Sequence, residues 1–210
     1  MRDWVGWHDA YDDPDSSLSA RLAVVRSHLA AALDSLPPGP VSLLSLCAGQ
    51  GRDVLGVLPG HARRADVRAV LVERDPRNAA AAREHAAQAG LAARVDVRET
   101  DASVPAGYGD ALPADVLLLC GIFGNVEPPD IRRTAMAAVS LGRPGTTVIW
   151  TRHRRQPDLT PQVRAWFTEA GFDEIAFETP DTATLTGVGV ARQRTAGPGP
   201  PPAGPLFTFR

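Results

Sequence analysis

The sequence contains no lysine. All 22 of its basic residues are arginine, which excludes lysine Schiff-base chemistry and any phosphate-binding loop of the Walker type, whose lysine is indispensable. Cysteine is scarce as well. Cys47 and Cys120 are too few for the disulfide framework of a small secreted module and form no CxxC pair that would suggest zinc, so a reducing, cytoplasmic setting is the expectation. No run of about 18 consecutive apolar residues occurs, and the start Met1-Arg2-Asp3-Trp4 lacks the basic stretch and apolar segment of a leader. Neither sign of charge dominates. The 22 basic and 24 acidic residues leave a formal charge of −2, which disfavours nucleic-acid or membrane coating as the purpose of the chain. What the 210 residues do hold is 44% apolar side chains, enough for one substantial core.

Leu18, Leu22, Val25, Leu29, Leu33 and Leu36 recur every three or four residues and predict one helix from about Asp15 to Ser35. Pro37-Pro38-Gly39-Pro40 stops it. Val41 to Leu46 then reads as a buried strand. It runs into the small-residue turn Cys47-Ala48-Gly49-Gln50-Gly51 and a helical stretch through Leu58. A second apolar strand covers Val67 to Glu73, and Asp75-Pro76 caps an alanine-rich helix that Gly90 ends. The alternation continues with strands at Arg94 to Arg98 and Asp115 to Cys120, a helix from Pro129 to Ser140, a strand from Thr146 to Thr151 and a helix from Leu159 to Ala170. Such βα repetition with apolar strands predicts an α/β doubly wound, mostly parallel sheet covered on both faces. Phe172 to Thr179 and Leu185 to Arg192 have no helix between them and predict a C-terminal antiparallel hairpin at one sheet edge. The expected organisation is an N-terminal lid segment and helical extension over residues 1–40, a Rossmann-like body over 41–194, and a Pro/Gly-rich tail over 195–210. Phe207 and Phe209 in that tail either dock onto the body or fray.

In open parallel sheets, ligands bind beyond the carboxyl ends of the strands where strand order reverses. At the first such end, Gly49 and Gly51 can take positive φ and let a ligand approach the backbone. A tight strand-to-helix turn is the plainer explanation. Glu73 closes the second strand, where a carboxylate can accept from both hydroxyls of a ribose, and Asp101 follows the third, placed to accept from an adenine amine. Alone, Glu73 would be a solvated strand end and Asp101 a turn residue. Jointly they predict an adenosine-bearing ligand. Val54 stands where the nicotinamide fingerprint has its third small residue, which weakens a dehydrogenase.

This set resembles class I S-adenosylmethionine-dependent methyltransferases over about Val41 to Arg192. The resemblance implies S-adenosyl-L-methionine as cofactor, with Cys47, Ala48, Gly49, Gln50 and Gly51 in the loop around its methionine part, Glu73 at the ribose with Arg74 as a further cofactor-binding residue after it, Asp101 and Ala102 at adenine, and Cys120 and Gly121 in the fourth motif. Two departures stand out. The family's acidic residue two positions before the first loop glycine is Ser45, and that glycine is Cys47, so another group must meet the cofactor's ammonium, with Asp12 and Asp53 as candidates. The resemblance also implies a lid over residues 7–12, although a stapled surface segment would look the same.

Methyl transfer from a sulfonium is an in-line displacement that asks the protein for positioning and desolvation. An acceptor that must lose a proton also needs a base, and His8, Tyr11 and His153 are candidates beside their commoner structural roles. The run Arg152-His153-Arg154-Arg155 is either an anion-attracting patch or a solvated charged face. Cys47 and Cys120 read as small buried hydrophobes whose sulfurs can lie side by side. Gly121-Ile122-Phe123-Gly124-Asn125 lacks the Asn/Asp-Pro-Pro-Tyr motif of amino-group DNA and protein-glutamine methyltransferases, which points to a small-molecule substrate and away from nucleic acid. No membrane partner and no metal are expected. The rivals are a nicotinamide-dependent oxidoreductase and a non-catalytic module that binds S-adenosylmethionine or its demethylated product.

Overall fold

The computed structural model describes residues 11, 13, 16–180, 185–197 and 199–210. Helix α1, Ser17–Ser35, begins where Ser16 Oγ accepts the backbone N–H of Ser19, and ends at Leu36 before the proline run. Its stripe buries Val25, Leu29 and Leu33. The strands are β1 (Val41–Leu46), β2 (Val67–Glu73), β3 (Val95–Glu99), β4 (Ala114–Leu119), β5 (Gly142–His153), β6 (Phe172–Glu178) and β7 (Thr186–Gln193). They form one sheet in the order β3-β2-β1-β4-β5-β7-β6. The first five are parallel, and β7 runs antiparallel to both β5 and β6. The predicted antiparallel hairpin forms at the edge of the sheet beyond β5. Its second strand is inserted next to β5, and its first becomes the edge.

Helices α2 (Pro76–Gln88), α3 (Pro128–Ala137) and α4 (Thr160–Glu169) complete the covering layers. Leu43 and Leu44 belong to different apolar clusters on the two sheet faces, as do Val116 and Leu117. Burial of both faces is why these strands read as continuous apolar runs. Asp75 caps α2 by accepting from the N–H of Arg77, with Pro76 in the first turn.

One expected helix is absent. The stretch after β1 forms successive turns and a short 3₁₀ segment, Leu58–Gly60. A continuous helix would use the Arg52 carbonyl to accept from Gly56 N–H. That oxygen instead accepts from Arg26 Nε at 2.9 Å and Nη2 at 2.6 Å, while Gly56, Pro59 and Gly60 remove helix propensity from the same stretch.

The C-terminal tail docks. Leu206 and Phe207 are buried in the core cluster of one sheet face, and Leu206 N–H donates to Ser103 O at 2.8 Å. Thr208 N–H donates to Asp130 Oδ2 at 2.8 Å, and Phe209 forms an antiparallel bridge with Val126. Among the described residues, no helix is long and apolar enough to cross a membrane.

Candidate functional site

Strand order reverses between β1 and β4, since β2 and β3 lie on one side of β1 and β4 on the other. At the carboxyl ends of these strands opens a cleft of about 830 Å³, within the size range of small-molecule and cofactor sites. Its floor is the loop after β1. Cys47, Gly49 and Gly51 there have φ of +54°, +56° and +69°, and the loop is tied down by Ala48 N–H donating to Val72 O at 3.0 Å and Gly51 N–H donating to Ala48 O at 2.9 Å. The left-handed conformation that glycine adopts freely is thus held at Cys47 by a residue for which it is strained.

Glu73 crosses from the tip of β2 to this loop. Its Oε2 accepts from Gly49 N–H and its Oε1 from Asp75 N–H, each at 2.8 Å. A carboxylate offers about four lone-pair directions, so two remain for a ligand. Asp101, beyond β3, accepts from Ser103 N–H through Oδ1 at 2.8 Å. Its Oδ2 lies 3.8 Å from Arg74 Nη1.

Ten of the eleven residues expected at a cofactor line the cleft: Cys47, Ala48, Gly49, Gln50, Glu73, Arg74, Asp101, Ala102, Cys120 and Gly121. Gly51 is the exception. It stands behind the loop, where an added Cβ would come 2.9 Å from Leu71 Cδ1 and 3.0 Å from Leu55 Cδ1, so its smallness serves packing against the sheet. Of the three candidate bases, Tyr11 lines the cleft, His153 is not among the lining residues, and His8 lies outside the described residues, as do Asp12 and the rest of the expected lid.

The cleft's electrostatics are set by burial. Asp53 lines it, and its carboxyl is held above the usual aspartate range by desolvation, against the opposing pull of the Val54 N–H, Arg26 and Arg21. Burial also raises the Tyr11 phenol, which accepts a hydrogen bond from Arg21 Nη2. Cys120 is pushed up to about 12 by burial and then by Asp53, and Cys47 well above its ordinary value by burial, Glu73 and Asp101. Both thiols are free and stay protonated near neutral pH, which rules out thiolate nucleophiles here.

Several lining residues carry no local sequence signal. Arg21, Leu22 and Val25 come from α1, and Asn78 from the first turns of α2. Asn78 is 1% exposed and its Oδ1 has no hydrogen-bond partner, an acceptor left over at the cleft wall. Pro205 and Phe207 to Arg210 arrive from the tail. Only the alternation of Phe207 and Phe209 hinted at their docking.

No family model matches the sequence, and no curated protein matches it. Solved structures do resemble it. An O-methyltransferase family protein from Burkholderia thailandensis superposes with a TM-score of 0.64 and 16% identity, covering 91% of this chain, which spans 59% of that protein's length. The [4+2]-cyclase SpnF gives a TM-score of 0.60 at 18% identity over 80% of this chain and 82% of that one. An RNA methyltransferase from Salinibacter ruber, in complex with S-adenosyl-L-homocysteine, gives 0.54 at 21% identity over 87% of this chain and 96% of that one. The chain adopts the Rossmann-like fold of class I S-adenosylmethionine-dependent methyltransferases.

Proposed function

We propose that this protein is an S-adenosylmethionine-dependent methyltransferase acting on a small-molecule acceptor. The observation that carries the reading is the convergence of three successive strand tips on one cleft, with Glu73 tied to the Gly49 backbone and Asp101 beside it. Two lone pairs of the Glu73 carboxylate fit the two hydroxyls of a ribose. Asp101 Oδ2 fits an exocyclic amine, the Ala48–Gly49 backbone leaves room for the methionine chain, and, of the two candidates for its ammonium, Asp53 is the one among the described residues. When bound, S-adenosylmethionine supplies a methyl group on a positively charged sulfur, open to in-line displacement.

The protein's own work is positioning and the exclusion of water. Burial keeps Cys47 and Cys120 neutral, so neither thiol competes as a methyl acceptor. Among the described residues Tyr11 is the base candidate that lines the cleft, with Arg21 donating to its hydroxyl; a phenol so held can relay a proton from an acceptor. The same fold carries a cyclase as well as methyltransferases, so the reaction is argued from the site and not from the architecture. Residues 41–194 form the cofactor-binding body in this reading, with α1 and the tail as added walls, and the setting is cytoplasmic, in keeping with two free cysteines.

Calorimetric titration with S-adenosylmethionine, S-adenosylhomocysteine and NADH tests it, followed by transfer of labelled methyl to a panel of small acceptors. The expected result is binding of the two sulfur compounds alone, and turnover. NADH binding would replace the proposal with an oxidoreductase. Tight sulfonium binding without turnover on any acceptor would leave a binding module.

A further inference from the structure

On the proposed reading, ribose would be held at the tip of β2 and adenine at that of β3, which leaves the loop after β1 and the tip of β4 for the rest of the cofactor and the acceptor, neighbouring strands being only about 4.8 Å apart. The next strand beyond β4 is β5. Its carboxyl end carries Arg152 and His153, and the tail brings Arg210 near enough to act electrostatically on both; of the three, Arg210 lines the cleft and the other two lie behind its wall.

This corner has more positive charge than its neighbours neutralise. Arg152 is 4% exposed. Its Nη1 donates to Phe123 O, its Nε is buried without an acceptor, and no carboxylate stands within ion-pair distance of it among the described residues. His153 Nδ1 is likewise buried and unpartnered. Arg210, on the cleft wall, donates from its backbone N–H to Asn125 O and from Nη2 to Val126 O, each at 3.0 Å. Of the acidic groups nearby, Glu127 lies 3.3 Å from Arg210 Nε and is largely exposed, and Asp158 is engaged 3.1 Å from Arg154. Arg155 adds a further cation. Both Arg152 and His153 are pushed toward their neutral forms, first by burial and then by the neighbouring cations, with Asp158 opposing at Arg152 and the Gly124 backbone opposing at His153. A buried cation without a counter-ion is costly, and an arginine pair presents the planar donor geometry that oxyanions fit.

We propose that the acceptor carries an oxyanion, a carboxylate or a phosphate, which docks against Arg210 with Arg152 and His153 beneath it. The inference rests on the methyltransferase reading for the word acceptor, but the anion site itself does not. Gly124 contributes by its size, since a Cβ there would come 3.2 Å from His153 Cδ2 and crowd the ring.

The test titrates benzoate, phenyl phosphate and benzamide into the protein, with and without S-adenosylhomocysteine, following the His153 ring resonances. Saturable shifts with one or both anions and none with benzamide are expected, and the tighter anion identifies the source. Arg210→Gln should weaken that anion about tenfold, as loss of a charge-assisted contact does. Arg152→Gln should do the same if it folds, and Arg210→Gln decides the matter if it does not. Benzamide binding as well as benzoate, an Arg210→Gln variant with undiminished anion affinity, or tight binding of a short RNA with no response to the small anions would each overturn the proposal. Failure to bind S-adenosylhomocysteine would sink the methyltransferase reading alone, because the anion arms run without it.

Discussion

Replacing Glu73 separates two tasks that its carboxylate performs at once. In the free protein it accepts the N–H groups of Gly49 and Asp75, so Glu73→Ala orphans two backbone donors and unties the β1 loop from the turn before α2. Charge-assisted bonds contribute about 1.5–3 kcal/mol each, but the side chain is only half buried and water replaces part of what is lost. A net cost of about 2 kcal/mol is expected, which lowers the melting temperature by roughly 4–8 °C in a chain of this size. Glu73→Gln keeps one acceptor oxygen and should lose about half as much. The second task appears only with ligand. Loss of both ribose contacts should weaken adenosine and S-adenosylhomocysteine by about 1–3 kcal/mol, a factor of about 5 to about 160, while adenine alone, which has no ribose, should be almost unaffected. Differential scanning calorimetry without ligand and titration calorimetry with the three compounds measure the two effects separately. An unchanged melting temperature in Glu73→Ala refutes the claim that this carboxylate holds the loop. Equal losses for adenine and adenosine refute the ribose placement.

Gly51→Ala combines left-handed backbone strain of about 1–2 kcal/mol with overpacking against Leu71 and Leu55; a fall of roughly 10 °C in melting temperature is expected, and a drop of less than about 2 °C would show the loop has slack. Phe207→Ala empties a fully buried site and should cost about 3–5 kcal/mol in denaturant unfolding, whereas Phe209→Ala, at a position 43% exposed, should leave stability nearly intact and weaken S-adenosylhomocysteine a few-fold by removing cleft wall. Asp53→Asn should stabilise the protein near pH 7 and weaken S-adenosylmethionine. The folded-state pKa of Asp53 is raised by burial, so its contribution to stability is present below the ordinary aspartate value of about 4 and is lost as pH rises through the folded value; the melting-temperature gap between variant and parent should therefore close toward pH 4, and a gap of constant size would reject the burial account.

Much of this was legible because it rests on period and punctuation. The apolar runs at Val41 to Leu46 and Val67 to Glu73 carried their strand character in sequence, and Asp75-Pro76 sits at a cap whose local hydrogen bond needs no tertiary partner. What escaped depends on contacts across the chain. The turns after β1 look helical until Arg26, far away in sequence, takes the Arg52 carbonyl. The insertion of β7 beside β5 is a choice between edges that an apolar strand pattern does not make. Asn78, Arg21 and the tail join the cleft through helix docking and a chain return; none has a motif that would mark it. Gly51 fits the glycine pattern of a ligand loop yet serves the sheet behind it, since spacing alone does not say which way a missing side chain would point.

The two departures from the resemblance are best understood as one change. The backbone path after β1 depends on a left-handed residue where this chain has Cys47, and the parallel pairing of β1 with β2 and the Ala48-to-Val72 hydrogen bond hold Cys47 at φ +54° regardless. A non-glycine residue there costs about 1–2 kcal/mol, partly offset because glycine would lose more freedom on folding. Ser45, at the position where the family has an acid, is 1% exposed with an unpartnered hydroxyl. A carboxylate there would be fully buried, whereas Asp53 borders the cleft where Arg21 and Arg26 temper its burial. On the proposed reading the negative charge that faces the cofactor's ammonium has moved from the strand to the turn beyond it, while the loop geometry has stayed.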